Sequence, residues 1–130
     1  MAIAYTIMRV ALGLNIFMHG FTRYQTGIGS FQEALEKEFT GTILPVPLVG
    51  LFGRSLPALE TIIGALLIAG LFSQAAIIAG SLVMLVLIFG KSVKGDWQVV
   101  SLQMIYVAFY SALGFLTGYN TLSADYFFKI

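Results

Sequence analysis

Three polar side chains lie four residues apart in an apolar run near the N-terminus: Asn15, His19 and Arg23 in LNIFMHGFTRY. His19 is the only histidine of the chain. An amide, an imidazole and a guanidinium at helical spacing can hydrogen-bond a carbonyl-bearing ligand, and an imidazole can also move a proton near neutral pH. At about 100° per residue, Arg9 joins them within a sector of about 120°. Because an isolated charge in lipid costs several kcal/mol, we expect this stripe to face a helix bundle or a wet cavity.

Other apolar runs carry matching groups. Glu60 lies about one turn inside the second run, and Gln103 and Tyr106 share one face of the fourth. In an up-and-down bundle, the end of the first helix and the starts of the second and fourth lie on the same side. We therefore predict one ligand-binding pocket there, with Asn15 at its floor and Arg23 at its mouth. The predicted members of this pocket are Asn15, His19, Arg23, Glu60, Gln103 and Tyr106.

Each of these residues also has a structural interpretation. His19 could bond a backbone carbonyl or lie at the headgroup level, and Glu60 could pair with Arg23 or Arg54. In the functional interpretation, His19 and Gln103 hydrogen-bond a quinone carbonyl and Glu60 exchanges protons with the reduced form. Quinone reduction needs donors where negative charge develops and a titratable group within reach. The residue types leave both interpretations open.

Composition restricts the class of protein. The chain has 130 residues, of which 58% are hydrophobic and 10% charged, whereas soluble domains carry about 25% charged residues. This predicts an integral membrane protein, and a net charge of +1 offers no basic face for nucleic acid. The absence of cysteine excludes thiolate nucleophiles, Fe–S clusters and cysteine-ligated zinc. We expect no metal and no tightly bound cofactor, so any redox role would need a partner's cofactor or a diffusible carrier such as a quinone.

Apolar runs over residues 2–22, 56–72, 74–90 and 97–118 predict four transmembrane helices of about the 20 residues that span a bilayer. The predicted fold is an all-α, four-helix transmembrane bundle that forms a single domain over residues 1–130. Pro57 suits the first turn of the second helix and Asp96 suits the N-cap of the fourth. Gly70 and Ser73 can end one helix and cap the next, which predicts an antiparallel hairpin between the second and third spans.

The loop after the first span predicts a short interfacial helix over residues 31–39, in which Ser30 and Glu33 have the spacing of a capping box. The following stretch, LPVPLVGLFG, is apolar but contains two prolines and two glycines, so we interpret it as an interfacial or re-entrant segment. Small residues four apart favour close helix packing in lipid. These pairs are Ala65 with Ala69 and Ala76 with Gly80, and with the short turn they predict that the second and third spans pack closely and form the tightest hairpin.

The C-terminal tail, YNTLSADYFFKI, returns to the side of the bundle where Arg9 lies. Ser123 can cap a final helical turn. An arginine buried about 10 Å along a span needs an anion, and Asp125 is the carboxylate expected on that side. We therefore predict a structural ion pair between Arg9 and Asp125.

Three segments together resemble the DoxX family. RVALGLNIFMHGFTRY is similar to its first-span pattern, and LPALETIIGALLIAGLFSQAA to its second-span pattern of Pro and Glu before a Gly-rich helix. The tail NTLSADYFF resembles its closing Ser-x-Asp element. Two departures are Arg23, where the family usually has Lys, and Gln74, where a basic residue often follows the second span. The positions that match the family pattern are Arg9, His19, Glu60 and Asp125.

The resemblance implies a four-helix membrane protein, in some members associated with quinone-linked oxidation of sulfur compounds and in others with redox homeostasis. We expect a protein that binds a quinone or similar lipophilic ligand beside a partner oxidoreductase and is not a complete enzyme by itself. The alternatives are a non-catalytic accessory subunit of a larger membrane electron-transfer complex and a small proton-coupled transporter that uses Glu60. A homo-oligomer is compatible with each of them.

Basic residues predict the orientation. Arg23, Lys37, Arg54, Lys91 and Lys94 lie in or beside the first and third loops, against Lys129 on the opposite side. The positive-inside rule then places those two loops in the cytoplasm and both termini outside, in a multi-pass protein of the cell (inner) membrane.

Overall fold

The computed structural model describes residues 1–129, and no strand occurs among them. Four helices are long and apolar enough to cross a membrane, which confirms the predicted fold class. They are α1 (Ala2–Thr26), α3 (Val46–Ala69), α4 (Ser73–Lys94) and α5 (Trp97–Phe115). A shorter helix α2 (Ile28–Phe39) follows α1, and a 3₁₀ turn (Thr117–Tyr119) and α6 (Ala124–Phe128) form the tail.

The second transmembrane helix begins earlier than the hydropathy pattern indicated. The segment that we interpreted as interfacial or re-entrant is helical from Val46 onward and continuous with α3. Pro47 lies in the first turn of this helix, where a missing N–H leaves no intrahelical bond unmade. Pro57, predicted to open the helix, lies inside it instead.

Two glycines that looked like helix breakers serve the packing of α2 against α3. A Cβ on Gly53 would lie 2.9 Å from Leu35 Cδ2, and one on Gly50 would collide with the Glu36 carboxylate. Both glycines are buried. Their missing side chains let α2 lie close against the start of α3, which explains a glycine-containing yet continuous helix.

The most extensive helix contact joins α1 to α3, and the prediction that α3 and α4 form the tightest hairpin was wrong, since α4 packs more extensively against α5. A Cβ on Gly13 of α1 would lie 2.8 Å from Leu67 Cβ and 2.9 Å from the carbonyl oxygen of Gly64 on α3. The missing side chains of Gly13 and Gly64 therefore let the two backbones touch, as small residues do in lipid. Ala65 and Ala69, predicted to form a contact with α4, are exposed.

In the other predicted small pair, Gly80 packs against α5. Gly80 of α4 faces the ring of Tyr110, which is 1% exposed, and Ala76 is buried in the same core. The Tyr110 ring fills the space that a side chain at position 80 would need. As a result, α4 pairs mainly with α5, and the bundle consists of two closely packed helix pairs, α1–α3 and α4–α5.

The helix α2 covers the predicted interfacial segment but does not begin with the predicted capping box. Its N-cap is Gly27, in a positive-φ conformation at 101°, and no side chain caps it. Ser30 lies inside the helix and is exposed, so its hydroxyl does not cap α2. The position of α2 at the membrane surface stays a prediction.

Arg9 and Asp125 do not form the predicted ion pair in the described part of the chain. Arg9, 2% exposed, donates from Nη1 to the carbonyl oxygen of Leu67 at 2.5 Å and from Nη2 to that of Leu122 at 2.9 Å. The guanidinium thus finds its acceptors at the carbonyl end of α3 and in the tail. Asp125 is engaged elsewhere, because its two carboxylate oxygens accept from the backbone N–H groups that open α4.

Of the other residues predicted to end or cap helices, three are confirmed and one is wrong. Gly70 ends α3 in the left-handed conformation, Asp96 accepts from the Val99 N–H at 3.4 Å, and Ser123 accepts from the Tyr126 N–H at 3.3 Å, as predicted. Ser73 does not cap α4, because it is the first residue of the helix and Asp125 takes the capping position.

Candidate ligand-binding site

A cavity of about 600 Å³ lies among α1, α2, α3, α4 and α5, at the end of the bundle where α2 packs. Most of its wall is aliphatic or aromatic. The apolar lining comes from Ile16, Phe31, Leu35, Phe39, Leu44, Leu48, Val49, Phe52, Leu56, Met84, Val86, Leu87, Phe89, Val99 and Leu102. A volume of this size with an apolar wall is typical of sites for small organic ligands.

The structure places His19, Arg23, Glu60, Gln103 and Tyr106 on the wall of this cavity. Their common position follows from helix directions: α1 ends at the same side on which α3 and α5 begin.

Two residues differ from the expectation. Asn15, predicted at the floor, is exposed on α1 and does not line the cavity. Arg54, one of the two cations considered for Glu60, is also exposed and off the cavity wall. Both residues lie on the outward-facing sides of their helices, because of how α1 and α3 are rotated about their axes. This rotation is set by the glycine contact between α1 and α3.

Arg23 and Glu60 form an ion pair across the wall, from Nη1 to Oε1. The Glu60 side chain is almost fully buried, whereas that of Arg23 keeps 24% of its surface exposed. The guanidinium carbon also lies 4.5 Å from the centre of the Phe31 ring, within the range of a cation–π contact. Arg23 therefore connects α1 both to α3 and to the helix α2 that covers this end of the bundle.

Two residues of the cavity wall each carry a buried oxygen atom that has no hydrogen-bond partner within residues 1–129: Glu60 with Oε2 and Gln103 with Oε1. The two residues are 5% and 8% exposed. Leaving a buried polar atom unpaired costs about 1–3 kcal/mol, and more for a charged group. Both residues line the apolar cavity, and a mostly apolar wall with a few polar residues is what a site for a hydrogen-bonding ligand requires.

His19 has one ring nitrogen engaged within its own helix. Its Nδ1 lies 2.8 Å from the backbone carbonyl oxygen of Asn15. Since a carbonyl only accepts, Nδ1 carries the proton and neutral His19 presents Nε2 as an acceptor. The structural interpretation of His19 therefore holds for Nδ1, and the predicted donation to a quinone carbonyl would need a protonated ring. The His19 and Tyr106 rings are nearly perpendicular, with 6.5 Å between ring centres.

The sequence reasoning missed a second ion pair on the wall. Lys91 Nζ of α4 lies 2.6 Å from Glu38 Oε1 of α2, and both residues line the cavity. Beside them, the buried Phe39 ring lies against Gly90. Glu38 and Lys91 are 53 residues apart in the chain, so no local spacing in the sequence indicates that they are partners. These contacts attach α2 to α4, so that α2 closes one side of the cavity.

The family model of DoxX matches residues 4–91, which is more than half of the chain. The chain belongs to the DoxX family. No curated protein and no solved structure matches the chain. The DoxX match spans α1 to most of α4 and contains Arg9, His19 and Glu60, whereas Asp125 and Gln103 lie beyond it. Membership shows a membrane protein in contact with lipid, of a family often linked to redox-related partners.

Proposed function

We propose that this DoxX protein binds a quinone or a similar small lipophilic ligand in the cavity and acts there as the membrane partner of an oxidoreductase. The observation that supports the proposal most is an apolar cavity of about 600 Å³ whose wall includes the polar residues Glu60 and Gln103, each with a buried oxygen that has no partner in the described residues. Ligand pockets combine a mostly apolar lining with a few polar groups that orient the ligand.

The residues of the wall suit an aromatic head group. The Tyr106 ring and Phe31 offer aromatic surface, and aliphatic side chains from α3 and α4 offer room for an apolar tail. Glu60, Gln103 and His19 supply the polar contacts that hold the ring in one orientation. The quinone supplies the redox chemistry when bound. The chain itself binds the head group, excludes water and holds a carboxylate beside it.

The partner would supply or accept the electrons. A second candidate, an accessory subunit without a ligand, is favoured by the apolar tail. Phe127 is 79% exposed and Phe128 66% exposed, beyond the last transmembrane helix. A neighbouring subunit or the bilayer could cover these rings. In that case, the protein would copurify with a complex and carry no quinone.

Orientation belongs to the proposal. Lys37 and Lys94 are exposed at the end of the bundle that carries the cavity. The positive-inside rule places this end in the cytoplasm of a cell with the protein in its inner membrane. The cavity would then lie near the cytoplasmic surface, within reach of a cytoplasmic electron-transfer partner.

Ligand binding is tested with purified protein in lipid nanodiscs. A short-chain quinone is titrated while the free concentration is measured by equilibrium dialysis. Leu102→Trp places a bulky ring at an exposed position on the cavity wall and should weaken binding at least tenfold. Leu82→Trp is the matched control, because Leu82 is equally exposed but lies off the wall. The absence of quinone binding by folded wild-type protein would overturn the proposal.

A further inference from the structure

The three aromatic side chains of α6 form an exposed surface at the opposite end of the bundle from the cavity. Tyr126, Phe127 and Phe128 are between 63% and 79% exposed, and the two phenylalanine rings contact each other, with 5.2 Å between their centres. A contiguous exposed apolar surface marks a site that a protein or a membrane covers. We propose that the bilayer covers this one: α6 lies in the lipid interface on the side of both termini and anchors the tail there.

Hydrogen bonds hold the start of α6 at the level where two transmembrane helices meet. The Asp125 N–H donates to the carbonyl oxygen of Gly70 at 2.9 Å, and the Asp125 carboxylate accepts from the N–H groups of Phe72 and Ser73. Gly70 ends α3, and Ser73 begins α4. At 1.5 Å per residue these helices are about 36 and 33 Å long, slightly more than the ~30 Å hydrocarbon core. Their joined end therefore lies close to the headgroup region, and α6 lies at the same depth.

The directions of the rings fit lipid better than a protein neighbour. At 100° per residue, the three rings are spread over about 200° of the helix circumference, opposite Asp125. Asp125 itself is turned toward the start of α4. A neighbouring subunit would contact one face of so short a helix and leave part of this arc uncovered. Fluid lipid can surround all three rings at once.

Apolar surface also continues from the transmembrane helices to the tail. Phe115, in the last turn of α5, is 88% exposed. Phe72 and Ile78, at the start of α4, are exposed as well and line a groove to which Phe127 contributes from the tail. Lipid that covers α4 therefore also reaches the Phe127 ring. Lys129, which is exposed, follows the rings directly, and a cation beside aromatic rings is typical of segments that lie at a membrane surface.

The anchor would stabilise two contacts of the tail with the bundle. Asp125 caps α4, and the carbonyl oxygen of Leu122 accepts from the buried guanidinium of Arg9. Both contacts require the tail to stay at the end of the bundle. Lipid that holds α6 at the interface keeps them in place.

Fluorescence quenching by brominated lipids tests the position of α6. Trp97, the only tryptophan, lies at the start of α5 at the other end of the bundle, so Trp97→Phe removes the background signal. Phe127→Trp in that protein then reports from the tail, in nanodiscs of phosphatidylcholine that carries bromine at a defined depth of its acyl chains. We expect about twofold quenching by bromine near the headgroup and less by bromine near the chain ends, the pattern of an interfacial ring.

The matched control is Leu82→Trp in the same background. Leu82 is exposed near the middle of α4, so its tryptophan should be quenched most by bromine near the chain ends. Quenching of the tail tryptophan by aqueous iodide alone would place α6 in water, and quenching by neither reagent would place it against protein. Either result would overturn the proposal. If Phe127→Trp does not fold, Phe128→Trp reports from the neighbouring ring with the same expected pattern.

Discussion

The carboxylate of Asp125 accepts a hydrogen bond at 2.7 Å from the backbone N–H of Ser73, which lies 52 residues earlier in the chain. The other carboxylate oxygen accepts from the Phe72 N–H at 2.5 Å. The first N–H groups of a helix have no partner within it, and a negative charge there interacts favourably with the helix dipole. The tail thus caps α4 from outside, and it is held against the bundle in return.

We predict that Asp125→Asn lowers the stability of the protein by about 1–2 kcal/mol, the usual size of a lost N-cap with its charge. The asparagine amide can accept one of the two hydrogen bonds but sets an NH₂ group against the other N–H. Unfolding by SDS titration in mixed micelles measures the change. The control is Glu33→Gln, which removes a carboxylate from an exposed site of α2. Equal stability of the two variants would contradict the capping role.

Arg9 gives a second prediction. Its guanidinium donates to the carbonyl oxygens of Leu67, Ile68 and Leu122. Lysine keeps the charge but lacks the planar fork that reaches acceptors on two segments at once. Arg9→Lys should therefore lower the free energy of unfolding by about 1–3 kcal/mol, because at least one buried acceptor or donor is left unpaired. The matched control is Arg54→Lys at an exposed position of α3, which should change it by less than about 0.5 kcal/mol.

The close contact between α1 and α3 predicts that one methyl group added at Gly64 destabilises the protein. In Gly64→Ala, the added Cβ would lie 2.7 Å from the carbonyl oxygen of Gly13. Backbone atoms cannot move aside unless the helices separate, so we expect the free energy of unfolding to fall by about 1–3 kcal/mol. Gly114→Ala is the control within a transmembrane helix, since its nearest contact would be Ile77 Cγ2 at an ordinary 3.7 Å. A Gly64→Ala protein as stable as Gly114→Ala would exclude close packing here.

The ion pair of Lys91 with Glu38 predicts how α2 is held on the bundle. Lys91→Glu sets two carboxylates together and should increase amide hydrogen exchange along α2, because a link between α2 and α4 is lost. The double variant Lys91→Glu with Glu38→Lys restores opposite charges and should recover most of the protection. Since the two side chains are 25% and 32% exposed, the effect on global stability should stay below about 1 kcal/mol. Identical exchange in the single and double variants would argue against the pair.

The orientation of the protein in the membrane can be tested by cysteine labelling, because the chain has no native cysteine. Lys37→Cys marks α2, and Gln74→Cys marks the first turn of α4 at the opposite end of the bundle; both positions are exposed. With a membrane-impermeant maleimide on intact spheroplasts, we expect labelling at position 74 and none at position 37. Permeabilised cells, in which both positions should react, provide the control. The reverse pattern would show that the first loop faces outward.

Much of the candidate site was predictable because its evidence is local. His19, Arg23 and Glu60 stand out as polar residues within apolar runs, and a polar group in a spanning helix needs a polar or wet environment. The up-and-down order of short-looped helices then placed them at one depth. The sequence pattern does not determine how each helix is rotated about its own axis. For this reason we predicted Asn15 on the cavity wall, although it is exposed.

The partners of the charged groups were harder to predict. Arg9 needed acceptors, and the sequence pattern offered Asp125 as an anion; the folded chain uses backbone carbonyls instead. The alternative pairing of Glu60 with Arg23 or Arg54 was open until the tertiary structure placed Arg23 against it. Lys91 and Glu38 lie far apart in the chain, so no spacing rule connects them.

By itself, the sequence determined that four apolar helices cross a membrane and that a polar stripe lies along the first of them, because run length and helical period are properties of neighbouring residues. Only the tertiary structure decided which helices touch, where α3 begins and which atoms remain unpaired. These features depend on how distant surfaces fit together. The contact of Gly13 with Gly64 sets the rotation of α1 against α3, and that rotation brings Glu60 to Arg23 on the cavity wall.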